Sequence, residues 1–178
     1  MPAIFVRSGR SEDVAAIMAV IGDARAFLHG QHIDQWQGVY PDQAAVEADI
    51  AAGYSRVLLV DGQVVGIAAL VPGPDPYYQF LEGHWTNGRN APYVAIHRFA
   101  IGDAGRGLHL ARPFLTELFS ELYRDGVRDV RIDTHRHNKI MQHVIVANGF
   151  DPRGIVYLDQ PVPEFLAYQL ILDNPKEH

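Results

Sequence analysis

The chain has 178 residues, a formal charge of −6 and no cysteine. That length suits one ordinary domain with a sizeable core, and the missing thiols exclude a disulfide framework, a thiolate metal site and a cysteine nucleophile. The acidic balance argues against a nonspecific binder of phosphate backbones, because Arg124, Arg128 and Arg131 are few and interleaved with acids. No apolar run approaches the ~20 residues of a membrane span, and Met1–Arg10 lacks the apolar core of a signal peptide. The expectation is a soluble cytoplasmic protein, one domain over residues 1–178, with no nucleic-acid or membrane partner.

Ile4-Phe5-Val6 reads as a short strand, and Ser11 as the N-cap of a helix that carries Glu12 and Asp13 in its first turn and runs to about Leu28. Val14, Ile17, Met18, Ile21 and Phe27 give that helix one apolar face. An aromatic, Gln-rich loop (Gln31–Tyr40) follows, then a second helix from Pro41-Asp42 to about Ala52. Val57–Val60 and Val64–Ala69 flank Asp61-Gly62, a pair suited to a tight hairpin turn. Pro72-Gly73-Pro74-Asp75-Pro76 breaks regular structure, and Tyr77–Pro92 reads as a long loop or lid.

Strand Tyr93–Ile101, helix Leu110–Asp125, strand Val127–Thr134, helix Asn138–Asn148 and strands near Gly154–Leu158 and Glu164–Leu172 complete the chain. The order β-α-α-β-β-β-α-β-α-β-β implies an α/β fold with a mixed sheet, antiparallel at the front and parallel where helices make the crossovers.

Arg106-Gly107-Leu108-His109-Leu110-Ala111 joins a strand to a long amphipathic helix. Such a turn leaves backbone N–H groups pointing outward beside Arg106, which suits an anion and a pyrophosphate above all. A bare connection carrying Gly and Arg for turn geometry is the competing reading. Asn138 can cap the next helix, with Gly149 as its left-handed stop and Phe150 returning to the core.

Taken together, the strand ending Arg98-Phe99-Ala100-Ile101, the turn Arg106–Ala111 and, about 30 residues on, the segment Asn138–Phe150 resemble the GNAT superfamily of acyl-coenzyme A-dependent N-acyltransferases. The resemblance runs from about Ile4 to Leu172. It implies a central mixed sheet that splays at two parallel strands, and acetyl-coenzyme A as the acyl donor. No metal is expected, because His135 and His137 could share one only if the backbone bends and no His-x-x-x-His pair on a helix accompanies a third ligand. Backbone groups of Phe99, Ala100 and Ile101 would pair with the pantetheine amides. Arg106, Gly107, Leu108, His109, Leu110 and Ala111 would hold the pyrophosphate, and Asn138 would orient the arm.

The chain departs from the family pattern at three places. His109 stands where the loop has its first glycine, Pro113 lies in the following helix, which is therefore expected to start near Leu110 or to kink, and Ile145 replaces a tyrosine that often protonates the departing thiolate. The proton chemistry is then sought elsewhere. His135, in Asp133-Thr134-His135 at a strand's C-terminal end, and His97, on the strand before the turn, are the candidate catalytic residues because histidine titrates near neutrality. For each, a structural role is the alternative.

Trp36, Trp85, Tyr40, Tyr77, Tyr78 and Phe80 would wall an acceptor site or form satellite core beneath the loops. The resulting expectation is an N-acetyltransferase acting on a primary amine of a small molecule or peptide. The alternatives are a noncatalytic acyl-coenzyme A sensor and a protein that keeps only the fold. Formation of a homodimer is left open.

Overall fold

The computed structural model describes residues 1–173. In chain order the elements are β1 (Ile4–Ser8), α1 (Val14–Gly30), α2 (Gln43–Ala51), β2 (Ser55–Val60), β3 (Gln63–Pro72), β4 (Glu82–Gly83), β5 (Val94–Ile101), α3 (Ala111–Arg124), β6 (Asp129–His135), α4 (Lys139–Ala147), β7 (Asp151–Tyr157) and β8 (Glu164–Ile171). The strands hydrogen-bond in the order β1-β2-β3-β5-β6-β8-β7-β4, with β5 and β6 parallel. This is the mixed α/β architecture read from the element order. The chain divides into two compact units, residues 1–70 with 97–114, and residues 71–96 with 115–173.

In the first unit β1, β2 and β3 form an antiparallel meander. Asp61 and Gly62 adopt φ of 48° and 83°, the double left-handed turn that the Asp-Gly pair favours, and Val60 faces Gln63 across it. α1 lays Ile17, Val20 and Ile21 against Val57, Leu59, Ile67 and Ala100, with Val46 of α2 beside them. Removing each such aliphatic side chain from water contributes about 1.5–3 kcal/mol.

The start of α1 differs from its sequence reading. Ser11–Asp13 is a turn of 3-10 helix, and α1 begins at Val14. Asp13 does the capping: its carboxylate accepts the Arg10 N–H at 2.8 Å and binds Arg7 through two bonds of 2.6 and 2.9 Å. Asp13 is thus a buried acid, tolerated because an arginine on β1 neutralises it.

In the second unit three residues of β5 pair with β6, from Val94↔Val130 to Ile96↔Ile132, and β6, β8 and β7 follow antiparallel. Tyr78, Trp85, Tyr93, Ala95, Val156, Phe165 and Ala167 form its aromatic core. The segment read as a long loop or lid is pinned down. It contains a 3-10 turn at Tyr78–Phe80 and the two-residue strand β4, which sequence patterning missed. The Thr86 N–H donates to Gln169 at 2.9 Å, Gln169 donates to Asn87 at 2.8 Å, and Arg131 donates to the Gly88 carbonyl at 3.1 Å. β4 lies so close to β7 that a Cβ on Gly154 would stand 2.0 Å from the Glu82 carbonyl oxygen.

α3 starts at Ala111, within a residue of the expected Leu110, and this late start places Pro113 in its first turn, where the missing N–H has no intrahelical partner to lose.

Candidate functional site

The turn Arg106–His109 leaves the end of β5 through a short 3-10 segment, Asp103–Gly105, and enters α3. Its upstream side is closed by bonds from the Arg106 N–H to Asp103 O (3.1 Å) and from the Leu108 N–H to Gly105 O (3.3 Å). Gly102 donates to Val65 O at 2.8 Å, and Asp23 of α1 accepts the Asp103 N–H at 2.9 Å, so the turn is held by both β3 and α1.

Gly107 and His109 both have left-handed φ, 80° and 54°. The His109 value shows why glycine suits that position: a side-chain-bearing residue is strained there by about 1 kcal/mol. The imidazole itself is exposed. The Arg106 guanidinium lies 4.5 Å from the Phe27 ring centroid and 2.6 Å from Asp103. It stands at the turn as a cation on an aromatic platform, and a phosphate there would compete with Asp103 for it.

β5 is interrupted at Arg98, whose φ of 51° puts a left-handed residue in mid-strand. Period-2 alternation does not carry across such a residue, so the faces of His97 and Phe99 are not fixed by counting in twos. Beyond the kink, Phe99 stacks on Phe114 of α3 at 5.2 Å and Ala100 joins the core. Arg98 grips Asp49 of α2 with two bonds of 2.6 and 2.7 Å and donates to the Tyr40 hydroxyl. His97 is half-buried.

In the second unit Asn138 caps α4, accepting the Met141 N–H at 3.1 Å and donating its own N–H to His135 O at 2.9 Å. Gly149 (φ 94°) ends the helix and Phe150 returns to the core, as the motif predicts. His135 is 1% exposed and packs edge-on against Phe165. Its Nδ1 accepts the His137 N–H at 3.2 Å, which places the proton of a neutral ring on Nε2. In that state Nδ1 is engaged and Nε2 has no lone pair to offer. Ile145, where the resemblance leads one to expect a proton-donating tyrosine, is wholly buried and part of the core.

Arg131, Asp133 and His135 follow one another at alternate positions on β6. Arg131 is sandwiched between Trp85 (4.2 Å) and Tyr93 (3.9 Å) and pairs with Asp129 at 2.8 Å. Asp133 accepts the Tyr78 hydroxyl at 2.7 Å. Burial first, and the charge of Asp133 second, hold the Tyr78 phenol well above its ordinary range, so it stays a donor. The sequence marked Tyr78 and Trp85 only as loop aromatics; their partners on β6 lie too far along the chain for local patterning. Among the described residues no group of three His, Asp or Glu side chains is set to hold a metal ion.

A mixed sheet with one parallel pair, entered by a helix through a left-handed turn, defines the class as an acetyltransferase fold. No protein-family model and no curated protein matches the chain. Among solved structures it is 34% identical to an acetyltransferase of the GNAT family from Streptococcus agalactiae, over 97% of this chain and 96% of that one, with a TM-score of 0.86. The chain belongs to the GNAT family of acetyltransferases.

Two more distant structures share the fold. One is the Salmonella typhimurium protein yncA, solved with its cofactor acetyl-CoA: 19% identity, 98% and 97% of the two chains, TM-score 0.62. The other, also from Salmonella typhimurium, is an acetyltransferase that modifies the N-terminal serine of ribosomal protein L7/L12: 17% identity, 96% and 95%, TM-score 0.68.

Proposed function

We propose that this chain is a single cytoplasmic N-acetyltransferase domain that moves an acetyl group from acetyl-coenzyme A to a primary amine of a small molecule or peptide. The observation that carries this is the family membership at 34% identity, joined to the turn Arg106–Ala111 with its left-handed Gly107 and His109. Backbone groups of Phe99, Ala100 and Ile101 pair with the pantetheine amides. Arg106, Gly107, Leu108, His109, Leu110 and Ala111 receive the pyrophosphate, and Asn138 orients the arm.

The amine nitrogen attacks the thioester carbonyl, an N–C bond forms, the C–S bond breaks, and coenzyme A leaves as its thiolate. A backbone N–H of β5 steadies the oxyanion. The amine's proton goes to a histidine, directly or through water. His97 is favoured over His135, because His135 is enclosed and its Nδ1 already accepts a bond. With Ile145 in the core the thiolate takes its proton from solvent.

The second reading, a noncatalytic acyl-coenzyme A sensor, is favoured by that same buried Ile145. Incubating the protein with acetyl-coenzyme A and an amine panel separates the two. Thiol release with a raised Tm supports transfer, a raised Tm without thiol release leaves the sensor, and no Tm shift removes both.

A further inference from the structure

A protein that moves an acetyl group onto primary amines meets first the amines it carries itself. Two of this chain's 15 Lys and Arg residues are lysines, Lys139 and Lys176, and Lys176 lies outside the described residues. An arginine guanidinium stays protonated near neutral pH and does not attack a thioester. Among the described side chains Lys139 is therefore the one amine open to acylation.

Lys139 is the first residue of α4, directly after the cap Asn138, and it is exposed. Cα–Cβ bonds in an α-helix tilt toward its N-terminus, so the flexible stem of Lys139 sets out toward the cap and the end of β6.

The amine is held there. Lys139 Nζ donates to Gln142 Oε1 at 3.3 Å, about one helical turn on. Gln142 is itself anchored: its Nε2 donates to the carbonyls of Arg136 (2.8 Å) and His135 (3.3 Å), and His135 is the last residue of β6. One amide side chain thus ties the lysine amine to the junction of β6 and α4. Among the described residues no carboxylate pairs with Lys139, so there is no ion pair to break before the nitrogen attacks. The bond to Gln142 uses an N–H and leaves the lone pair of the neutral amine free.

We propose that Lys139 is acetylated by the acetyl-coenzyme A bound to its own chain. This rests on the reading above, in which Asn138 orients the pantetheine arm; the amine held beside that asparagine is then a neighbour of the thioester. The neutral ε-nitrogen attacks the thioester carbonyl and an amide N–C bond forms. The C–S bond breaks, coenzyme A leaves as its thiolate, and the nitrogen's surplus proton passes to solvent. Each chain does this once. The product is a neutral side chain in the first turn of α4, where a cation opposes the helix dipole. Gln142 is a positioning residue in this step; it acts through Lys139.

The test needs no knowledge of the acceptor. Isotope-labelled acetyl-coenzyme A is added to the whole chain at neutral pH without any amine. Peptide mass spectrometry then reads the label on Lys139 and Lys176, on the fraction of each that is free at the start. The same protein unfolded in urea gives the background of uncatalysed acylation. Lys139→Arg fixes the assignment of the modified peptide, and Gln142→Leu removes the tether.

The expected result is labelling of Lys139 at least about tenfold faster than in urea, and than Lys176 in the folded chain, at a rate that does not depend on protein concentration. In Gln142→Leu that preference falls at least about fivefold, while the coenzyme A Kd measured by calorimetry stays within about twofold. Equal labelling of the two lysines, a rate that follows protein concentration, or an unchanged preference in Gln142→Leu overturns the proposal. Should that variant not fold, the wild-type comparison decides alone. Coenzyme A that raises the Tm while Lys139 stays unlabelled overturns this inference and leaves the proposed function standing. Absence of any Tm rise overturns both.

Discussion

The Tyr78 hydroxyl donates to Asp133 Oδ2 at 2.7 Å from within an aromatic stack, its ring 5.3 Å from Trp85 and 6.0 Å from Tyr93. Fifty-five residues separate the two along the chain. The bond ties the pinned 72–93 segment to β6.

Tyr78→Phe should cost about 1.5–3 kcal/mol in urea unfolding at neutral pH, since it takes a donor from a half-buried carboxylate. The phenol's raised pKa also has a pH signature. A group whose folded pKa lies above its unfolded value contributes stability that is complete below the unfolded value, near 10, and is lost as pH rises toward the folded value. The gap between wild type and Tyr78→Phe should therefore narrow above about pH 10. A gap that widens there contradicts the assignment.

Asp13 has the opposite sign. The Arg7 guanidinium, more than any other group, holds its carboxyl below the usual 3.8. Its contribution is present above that value and is lost as pH falls toward the lowered folded pKa. Asp13→Asn should destabilise by about 2 kcal/mol at pH 7 and by clearly less near pH 3. Urea melts at the two pH values give the comparison.

His109→Gly should raise stability by about 1 kcal/mol, because glycine takes φ of 54° without strain. His109→Ala keeps the Cβ and should bring no such gain. Thermal melts of the two variants decide whether the backbone, rather than the imidazole, sets the cost. Equal Tm values for Gly and Ala would locate it in the side chain.

Arg131 and Asp129 form a buried pair, 0% and 2% exposed at their side chains. Arg131→Met alone strands a carboxylate and should cost about 3–5 kcal/mol, while adding Asp129→Leu should recover much of the loss. The cycle is read by chemical denaturation. Additive losses would mean that Arg131 acts mainly through its stack with Trp85 and Tyr93.

What the sequence disclosed was local. Asp61-Gly62 specified its hairpin, Asn138 its cap and Gly149 its stop because each acts on backbone within a few residues. The order of elements was enough for the mixed sheet, and the spacing of Arg106 and Asn138 for the family. Three things escaped: the kink at Arg98, the capture of Asp13 by Arg7, and the anchoring of the 72–93 segment. Each depends on a partner from another element, as with Arg98 and Asp49, 49 residues apart. Polar residues rich in Pro and Gly look alike whether they wave in solvent or are nailed to a sheet. The roles of His97 and His135 were unreadable for a related reason, since the tautomer of His135 follows from a bond to the His137 backbone.

The facing glycines of β4 and β7 carry a consequence for how this protein can change. With Gly154 and Gly83 each blocked by the opposing backbone, at 2.0 Å from Glu82 O and from Arg153 O, neither admits a side chain unless the two strands part. Single substitutions at that seam are closed. New shapes for the segment that carries Trp85 must come from its other positions or from insertions and deletions, so diversity within it should appear as length before it appears as residue type at the crossing.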